Sequence, residues 1–261
     1  MDAIIYVLYF VIGACVGSFC NVIICRCPIG LSINNPKHSY CFSCGHQIKF
    51  YENIPILSYI FLRGRCKHCK AKIPIRDFFV ELCSALLYLL SAIMFYNVNF
   101  LFSMLLCLAI SVLIVISCID IDHQYISEFS LIFLSAISIP MFATFMFGDA
   151  LEHVIGLAVG GGFLLIVYLL GLKIKKQEVV GVGDIILMAV CGLMVGWKNI
   201  LLAYVIAFVV SCIVLVSIMI KNRTKDLTKH YPFIPFLSLG VLVSMFFGEY
   251  IINWYIGLFI F

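Results

Sequence analysis

Charged side chains are the scarcest feature of this sequence. Only 11% of its 261 residues are charged and only 13 are acidic, whereas 64% are hydrophobic and the mean hydropathy is +1.15. Soluble domains are about half apolar, because a much larger apolar share cannot be buried in one core. The shortage of charge therefore excludes an ordinary soluble domain and indicates a protein that exposes apolar side chains to lipid.

Long polar stretches are also rare, and apolar runs of about 20 residues, the length that crosses a bilayer, follow one another along the chain. Lipid cannot satisfy an open backbone, so helices are required, and continuous rather than alternating runs argue against a β-barrel. We predict an all-α integral membrane protein with about eight transmembrane helices, at residues 3–25, 78–96, 100–119, 129–147, 154–172, 179–197, 200–220 and 233–259. Because no basic region precedes the first run, we expect a retained span rather than a cleaved signal peptide.

Basic residues are distributed unevenly among the predicted loops. If the N-terminus lies outside, sixteen of the seventeen Lys and Arg residues fall in inner loops, within 26–76, 173–176 and 221–229, and Lys198 falls outside. Cytosolic loops carry such an excess, so we predict a multi-pass protein with the N-terminus outside and the large first loop in the cytosol. Because the basic residues are divided among loops at one membrane face, we expect the lipid bilayer as a partner and no nucleic acid.

The sizeable polar segment between residues 26 and 77 contains Cys27 and, further along, four regularly spaced cysteines. They form two C-x2-C pairs separated by 21 residues, Cys41 with Cys44 and Cys66 with Cys69. Such pairs can present four thiolates to a tetrahedral zinc ion, and four sulfur ligands leave no open position, so this zinc would be structural. Two disulfides are the alternative, but disulfides rarely persist in a reducing cytosol. We predict a cytosolic zinc-knuckle loop between helices 1 and 2, in which His46 and His68 could replace a ligand but are more often solvated.

Two acidic positions lie where apolar surroundings make a carboxylate costly. Asp184 follows GVG inside the run 179–197, and Asp120 lies near the end of the third run, in VLIVISCIDID. A carboxylate within a bilayer costs several kcal/mol and usually marks a transport pathway, a proton relay or catalysis. The charge distribution places both acids near the cytosolic face, on different helices, where they can meet. Asp122 competes with Asp120, but residues two apart on a helix point in nearly opposite directions, and Asp120 lies nearer the membrane.

Two carboxylates in a poorly hydrated site share a proton, which provides one acid and one base. In an aspartic protease, one carboxylate removes a proton from water and the other protonates or polarises the peptide carbonyl. Gly181 and Gly183 would let a peptide backbone approach Asp184 closely. From these residues alone, a peptidase competes with a proton-coupled transporter that uses the same acids, with interfacial solvation of Asp120, and with a membrane-anchored zinc module. The absence of a repeat between the two halves argues against the transporter, and the zinc module leaves Asp184 unexplained.

The order of several motifs resembles that of the bacterial type IV prepilin peptidase family, the prepilin leader peptidase/N-methyltransferases, which are membrane aspartic proteases with a G-x-G-D motif. In this sequence the motifs are GSFCNVIICRCP at 17–28, the two C-x2-C pairs, ENIPILSYIFLRGRCKHC at 52–69, VEL at 80–82, ID at 119–120 and GVGD at 181–184. A lone G-x-G-D is a weak signal, but the ordered set spans nearly the whole chain.

The resemblance implies that Asp120 and Asp184 are the catalytic pair of a prepilin leader peptidase. Its substrates would be type IV prepilins or pseudopilins, whose basic leader is cut after a glycine at the cytosolic face of the bacterial cytoplasmic (inner) membrane. Many family members also methylate the new N-terminal amine with S-adenosylmethionine, a role associated with the first loop. The resemblance thus implies a methyltransferase-associated region at residues 1–97 and a six-span peptidase domain at residues 98–261.

The sequence departs from the family pattern at three places. Ser127 and Glu128 stand where the family usually has a proline followed by Asp or Asn, Ile234 stands at the glycine of P-F-G-P, and Asp77 stands at the tyrosine of R-Y-P. None of these changes removes an acid of the pair or a cysteine, but Asp77 lies near the loop linked to methylation. No glycine-rich nucleotide fingerprint is visible, so the sequence assigns no contacts to S-adenosylmethionine.

Overall fold

The structure, a computed structural model, describes residues 2–35, 38–144, 150–176, 180–222 and 231–259. These residues form nine α-helices and no strand, and two isolated β-bridges lie in the first loop. The helices are α1 (Asp2–Arg26), α2 (Leu57–Phe61), α3 (Ile75–Phe95), α4 (Phe100–His123), α5 (Glu128–Ala143), α6 (Ala150–Lys175), α7 (Val182–Val195), α8 (Trp197–Asn222) and α9 (Ile234–Phe259). The predicted all-helical membrane fold is confirmed.

The eight predicted spans correspond to the eight apolar helices, but two of these helices are short. Helices α1, α3, α4, α6, α8 and α9 are long and apolar enough to cross a membrane, whereas α5 has 16 residues and α7 has 14. Helix α7 is short because Gly181 before it is extended and Gly196 after it has a φ of 80° and a ψ of 168°, a non-helical conformation that favours glycine. The apolar run continues beyond both ends of α7, so the span predicted from composition, 179–197, is longer than the helix.

Some sequence predictions fall on parts of the chain that lie outside the described residues. These are positions 145–147 of the fourth predicted span, position 179 of the sixth, Lys37 in the first loop, and positions 223–229 of the last basic segment.

The chain divides into two compact units, residues 1–115 and 116–261. In the first unit, α1 packs closely along α3 because Gly13 and Gly17 have no side chain there. A Cβ atom at Gly13 would lie 2.8 Å from both the carbonyl oxygen of Ser84 and the Cβ of Tyr88. The hydroxyl of Ser84 donates to the carbonyl of Gly13 at 2.9 Å, so small residues four apart bring the two helices into hydrogen-bonding contact.

In the second unit, glycines at the contacts between helices likewise allow close packing, and this fixes the positions of α7 and α9. On α6, a Cβ at Gly160 would collide with the carbonyl oxygen of Met188 on α7, and on α7 a Cβ at Gly192 would collide with that of Gly156 on α6. On α9, a Cβ at Gly240 would collide with the carbonyl oxygen of Ala203 on α8. Backbones that approach this closely leave little freedom for rotation or sliding, so the side chains at the start of α7 are held in a defined orientation.

Candidate active site and cysteine cluster

Asp120 lies near the C-terminal end of α4 and is buried, with 6% of its surface exposed. The backbone N–H of Ile234 donates a hydrogen bond to Oδ2 of Asp120 at 3.2 Å. Ile234 is the first residue of α9, where N–H groups have no partner within the helix. Helix N-termini favour negative charge for this reason, so the start of α9 orients the Asp120 carboxylate.

Asp184 lies in the first turn of α7, three residues after Gly181, the N-cap residue. Its carboxylate accepts a hydrogen bond from the backbone N–H of Gly181 and interacts electrostatically with Asp120. An acid at this position of a helix commonly reaches back to the N-cap amide. The fold of the second unit therefore brings the two predicted catalytic acids within electrostatic range of each other.

The competing acid on α4, Asp122, is exposed, whereas Asp120 is buried. This difference follows from the helical repeat, because side chains two residues apart lie on nearly opposite sides of a helix.

The two glycines of the GVG segment have different surroundings. A Cβ at Gly181 would meet only Asp184, at 3.6 Å from Oδ2, which is ordinary contact, whereas a Cβ at Gly183 would lie 2.6 Å from Cδ1 of Ile126. Gly183 is thus closely packed against the segment between α4 and α5, and the space beside Gly181 borders the Asp184 carboxylate.

Sequence reasoning missed two groups near the acids. Ile234 was noted as a departure from P-F-G-P, but a backbone amide has no side-chain signature, and its hydrogen bond to Asp120 depends on the fold. Tyr204 on α8 interacts electrostatically with Asp184, and its hydroxyl donates to the carbonyl of Gly160. A lone tyrosine in an apolar run gave no signal, because tyrosine is an ordinary core residue.

The four cysteines of the first loop form one cluster. One sulfur atom from each of Cys41, Cys44, Cys66 and Cys69 lies within 4.8 Å of the others, and the sulfurs of Cys41 and Cys69 are 3.8 Å apart. Tetrahedral zinc with bonds of about 2.3 Å separates its sulfur ligands by about 3.8 Å, while a disulfide bond is about 2.05 Å long. All thirteen cysteines are free thiols in this structure, and the spacing of the four sulfurs fits a metal ion.

The two C-x2-C pairs share one backbone arrangement. In the first pair, the amide of Cys41 donates to the carbonyl of His46, and the amide of Gly45 donates to the carbonyl of Cys41. In the second pair, the amide of Cys66 donates to the carbonyl of Ala71, and the amide of Lys70 donates to the carbonyl of Cys66. Gly45 and Lys70 both have positive φ, at 68° and 61°. The rings of His46 and His68 stack with centroids 4.6 Å apart, and the ligand cluster consists of the cysteines.

The thiol of Cys41 loses its proton more readily than an ordinary cysteine. Burial raises the pKa of Cys41, but hydrogen bonds from the backbones of Ser43 and Cys44 and from the side chains of Cys44 and Cys66 outweigh it and lower the pKa to about 7. Zinc binds the thiolate form of cysteine, and the pKa of the neighbouring Cys44 thiol is raised to about 11, so Cys41 is the first of this pair to lose its proton.

Two known domain families match the chain. The bacterial peptidase A24 N-terminal domain matches residues 11–95, and the type IV leader peptidase family matches residues 107–216. A prepilin leader peptidase/N-methyltransferase of Legionella pneumophila is 31% identical over 96% of this chain and 95% of that protein. A type 4 prepilin-like proteins leader peptide-processing enzyme of Escherichia coli is 33% identical over 92% of this chain and 93% of that protein.

A third relative, a prepilin leader peptidase/N-methyltransferase of Myxococcus xanthus, is 36% identical over 75% of this chain, and the match spans 57% of that protein. No solved structure matches the chain. The fold and the loop-borne cysteine cluster define a multi-pass helical membrane protein with a four-thiol site. The chain belongs to the type IV leader peptidase family.

Proposed function

We propose that this protein is a prepilin leader peptidase that cleaves type IV prepilins or pseudopilins with the pair Asp120 and Asp184, and that it also N-methylates the new N-terminus. The observation that carries the proposal is the electrostatic interaction between Asp184 on α7 and Asp120 on α4, whose carboxylate accepts a hydrogen bond from the first residue of α9. Membership of the leader peptidase family agrees with this use of the acids.

The proposed reaction is acid–base hydrolysis by two carboxyl groups that share one proton. The ionised carboxylate takes a proton from water as the water oxygen attacks the scissile carbonyl carbon, and the protonated carboxyl donates to the carbonyl oxygen. Collapse of the tetrahedral species breaks the C–N bond, and the proton held by the first carboxylate passes to the leaving amine. The open space beside Gly181 would let the peptide backbone reach Asp184.

The substrate is recognised chiefly through its apolar helix. A prepilin combines a basic leader with an apolar helix, and the predicted cytosolic loops are themselves basic, so the leader gains little from charge attraction. We place the N-terminus outside and the acid pair at the cytosolic face of the bacterial inner membrane, from the distribution of basic residues.

Substitution of either acid tests the peptidase proposal. Asp120→Asn and Asp184→Asn should each reduce cleavage of a co-expressed prepilin by roughly 10²–10⁴-fold, the usual contribution of a positioned acid or base. Mass spectrometry of the prepilin reads both the cut position and an added methyl group. Asp122→Asn is the matched control on α4 and should cleave normally. Normal cleavage by either pair variant contradicts the proposal, and proton flux across proteoliposomes without hydrolysis would favour the transporter.

The methyltransferase activity is assigned to the N-terminal region at residues 1–97, with S-adenosylmethionine as methyl donor. Within this region the four loop cysteines would hold a structural zinc, which orders the loop and takes no part in bond making, because four thiolates leave no open position.

Metal analysis tests the zinc assignment. Reduced wild-type protein purified without chelators should contain about one zinc per chain, because one tetrahedral ion uses all four thiolates. Cys41→Ser should fall well below that value, whereas Cys83→Ser, which changes an exposed thiol on α3 outside the cluster, should retain the metal. Equal zinc content in the two variants would refute the assignment.

A further inference from the structure

A cavity of about 340 Å³ lies in the first unit, between the cysteine loop, α2 and the ends of α1 and α3 that adjoin the loop. Its volume is within the range of about 300–1,000 Å³ typical of small-molecule sites. The cavity is open to the surroundings, and its wall combines aromatic rings and three carboxylates with the basic side chains of Arg26, Lys67 and Lys72. A site of this composition suits a ligand that has a planar part and charged groups, and the partners of the three carboxylates decide where a positive charge would lie.

Two of the three carboxylates already have cationic partners. Glu52 pairs with Lys67 at 3.1 Å, and Asp77 pairs with Arg76 at 3.4 Å. Glu81 instead accepts a hydrogen bond from the backbone N–H of Ile56 at 2.7 Å and one from the hydroxyl of Ser18. Among the residues that the structure describes, no Lys, Arg or His lies within ion-pairing distance of Glu81. The cavity wall therefore contains a carboxylate whose charge the protein itself does not neutralise.

The backbone that contacts Glu81 is strained. Ile56 has a φ of 64° and a ψ of −53°, and the amide of Leu57 donates to the carbonyl of Pro55 at 2.6 Å, which closes a three-residue γ-turn. A β-branched residue rarely adopts this conformation, and such strain tends to occur at functional sites. The turn directs the Ile56 amide towards Glu81 and so fixes one oxygen of the carboxylate at the cavity wall.

Aromatic side chains line the same space. Tyr59 and Phe78 have ring centroids 5.1 Å apart, and Tyr40 and Phe42 have centroids 5.2 Å apart. Aromatic faces attract organic cations and stack against planar bases.

We propose that this cavity binds S-adenosylmethionine and that Glu81 faces its positively charged sulfonium, while the aromatic wall holds the adenine. The inference rests on the proposed methyltransferase function and names the residue that recognises the charge. When bound, the donor supplies a methyl group whose bond to sulfur breaks as the amine nitrogen attacks, and the product is the neutral thioether S-adenosylhomocysteine. Glu81 is a carboxylate that can distinguish the charged donor from this neutral product.

Calorimetric titration of the full-length protein in detergent tests the proposal. Affinities for S-adenosylmethionine and S-adenosylhomocysteine are measured for wild type, Glu81→Gln and Glu81→Asp. We expect Glu81→Gln to weaken binding of the charged donor by about tenfold or more, since contacts to a charged group are worth that much, and to weaken binding of the neutral product by much less. Glu81→Asp, which keeps the charge, should retain more of the preference for the donor.

Glu52→Gln is the matched control, because it removes a carboxylate of the same wall that is already paired with Lys67. It should alter the two affinities in the same proportion. The proposal is overturned if Glu81→Gln lowers the affinities for both ligands by the same factor, or changes neither affinity. The proposal is also overturned if Glu81→Gln abolishes binding of a mature pilin peptide but leaves the ratio of the affinities for S-adenosylmethionine and S-adenosylhomocysteine unchanged. Glu81 would then bind the N-terminal ammonium of the peptide and not the sulfonium.

Methylation of a co-expressed prepilin separates this inference from the function on which it rests. If the wild type methylates and Glu81→Gln leaves the ratio of affinities unaltered, the inference fails and the methyltransferase proposal stands. If the wild type neither methylates nor binds the donor, both fail.

Discussion

At the scale of single residues, the Asp120 carboxylate is oriented by the main chain, through the amide of Ile234 at the start of α9. Proline is tolerated at the first position of a helix but has no N–H. Ile234→Pro should therefore keep the helix start and remove the donor. A hydrogen bond to a charged group contributes about 1.5–3 kcal/mol, so we expect cleavage to fall by roughly ten- to a hundredfold in a prepilin processing assay.

Ile234→Ala is the matched control, because it removes the same buried side chain but keeps the amide. Its cleavage rate should stay well above that of Ile234→Pro. Equal rates in the two variants would mean that the amide does not matter and that only packing at this position does.

The sequence indicated Asp184 because a carboxylate in an apolar run is costly, and Asp120 because it ends such a run on another helix. The amide of Ile234 and the position of Tyr204 could not be predicted in the same way. Every residue except proline has a backbone N–H, so the sequence does not show which one will donate to Asp120. A tyrosine among apolar residues is common in helical cores and so gives no sign of a functional role. The choice of Asp120 as catalytic partner remains a prediction until the variants are assayed, although the burial of Asp120 and the exposure of Asp122 agree with it.

At the scale of elements, the position of Asp184 depends on how closely α6 and α7 approach. Gly160→Ala would place a methyl group against the carbonyl oxygen of Met188, which belongs to the backbone of α7 and cannot move aside cheaply. Overpacking of this kind costs about 1–3 kcal/mol. We expect a lower unfolding temperature in detergent and reduced cleavage, because α7 carries the acid.

Gly162 on the same helix has no atom within 4 Å of its would-be Cβ. Gly162→Ala should therefore unfold at the wild-type temperature or slightly above it, and should cleave normally. Comparable losses in the two variants would indicate a general sensitivity of α6 and not a specific contact with α7.

Continuous apolar runs located all eight apolar helices, because lipid requires helices and a run of this length can cross the bilayer. It did not predict the short length of α7, since the backbone at Gly181 and Gly196 decides where the helix stops and both residues are compatible with a span. Likewise, the spacing of the cysteines predicted two similar knuckles but not the positive φ of Lys70, because lysine gives no sign of a left-handed backbone while Gly45 does.

At the scale of the whole molecule, the basic residues predict which loops face the cytosol. Val98 lies in the turn between α3 and α4 and is 81% exposed, and Asn34 is exposed in the first loop. In cells with a permeable outer membrane, a membrane-impermeant maleimide should label Val98→Cys and leave Asn34→Cys unlabelled beyond the wild-type background. Inverted vesicles should give the opposite pattern, and labelling of Asn34→Cys in intact cells would reverse the predicted orientation.

Helix α7 has a further consequence for the membrane around the protein. Its 14 residues extend about 21 Å at 1.5 Å per residue, whereas the hydrocarbon layer is about 30 Å thick. An element shorter than the layer is accommodated when the bilayer becomes thinner around it, at a modest cost for each ångström. The thinned patch would draw phospholipid headgroups and hydration towards Asp184, so that a reaction which consumes water could proceed at the edge of an oily phase.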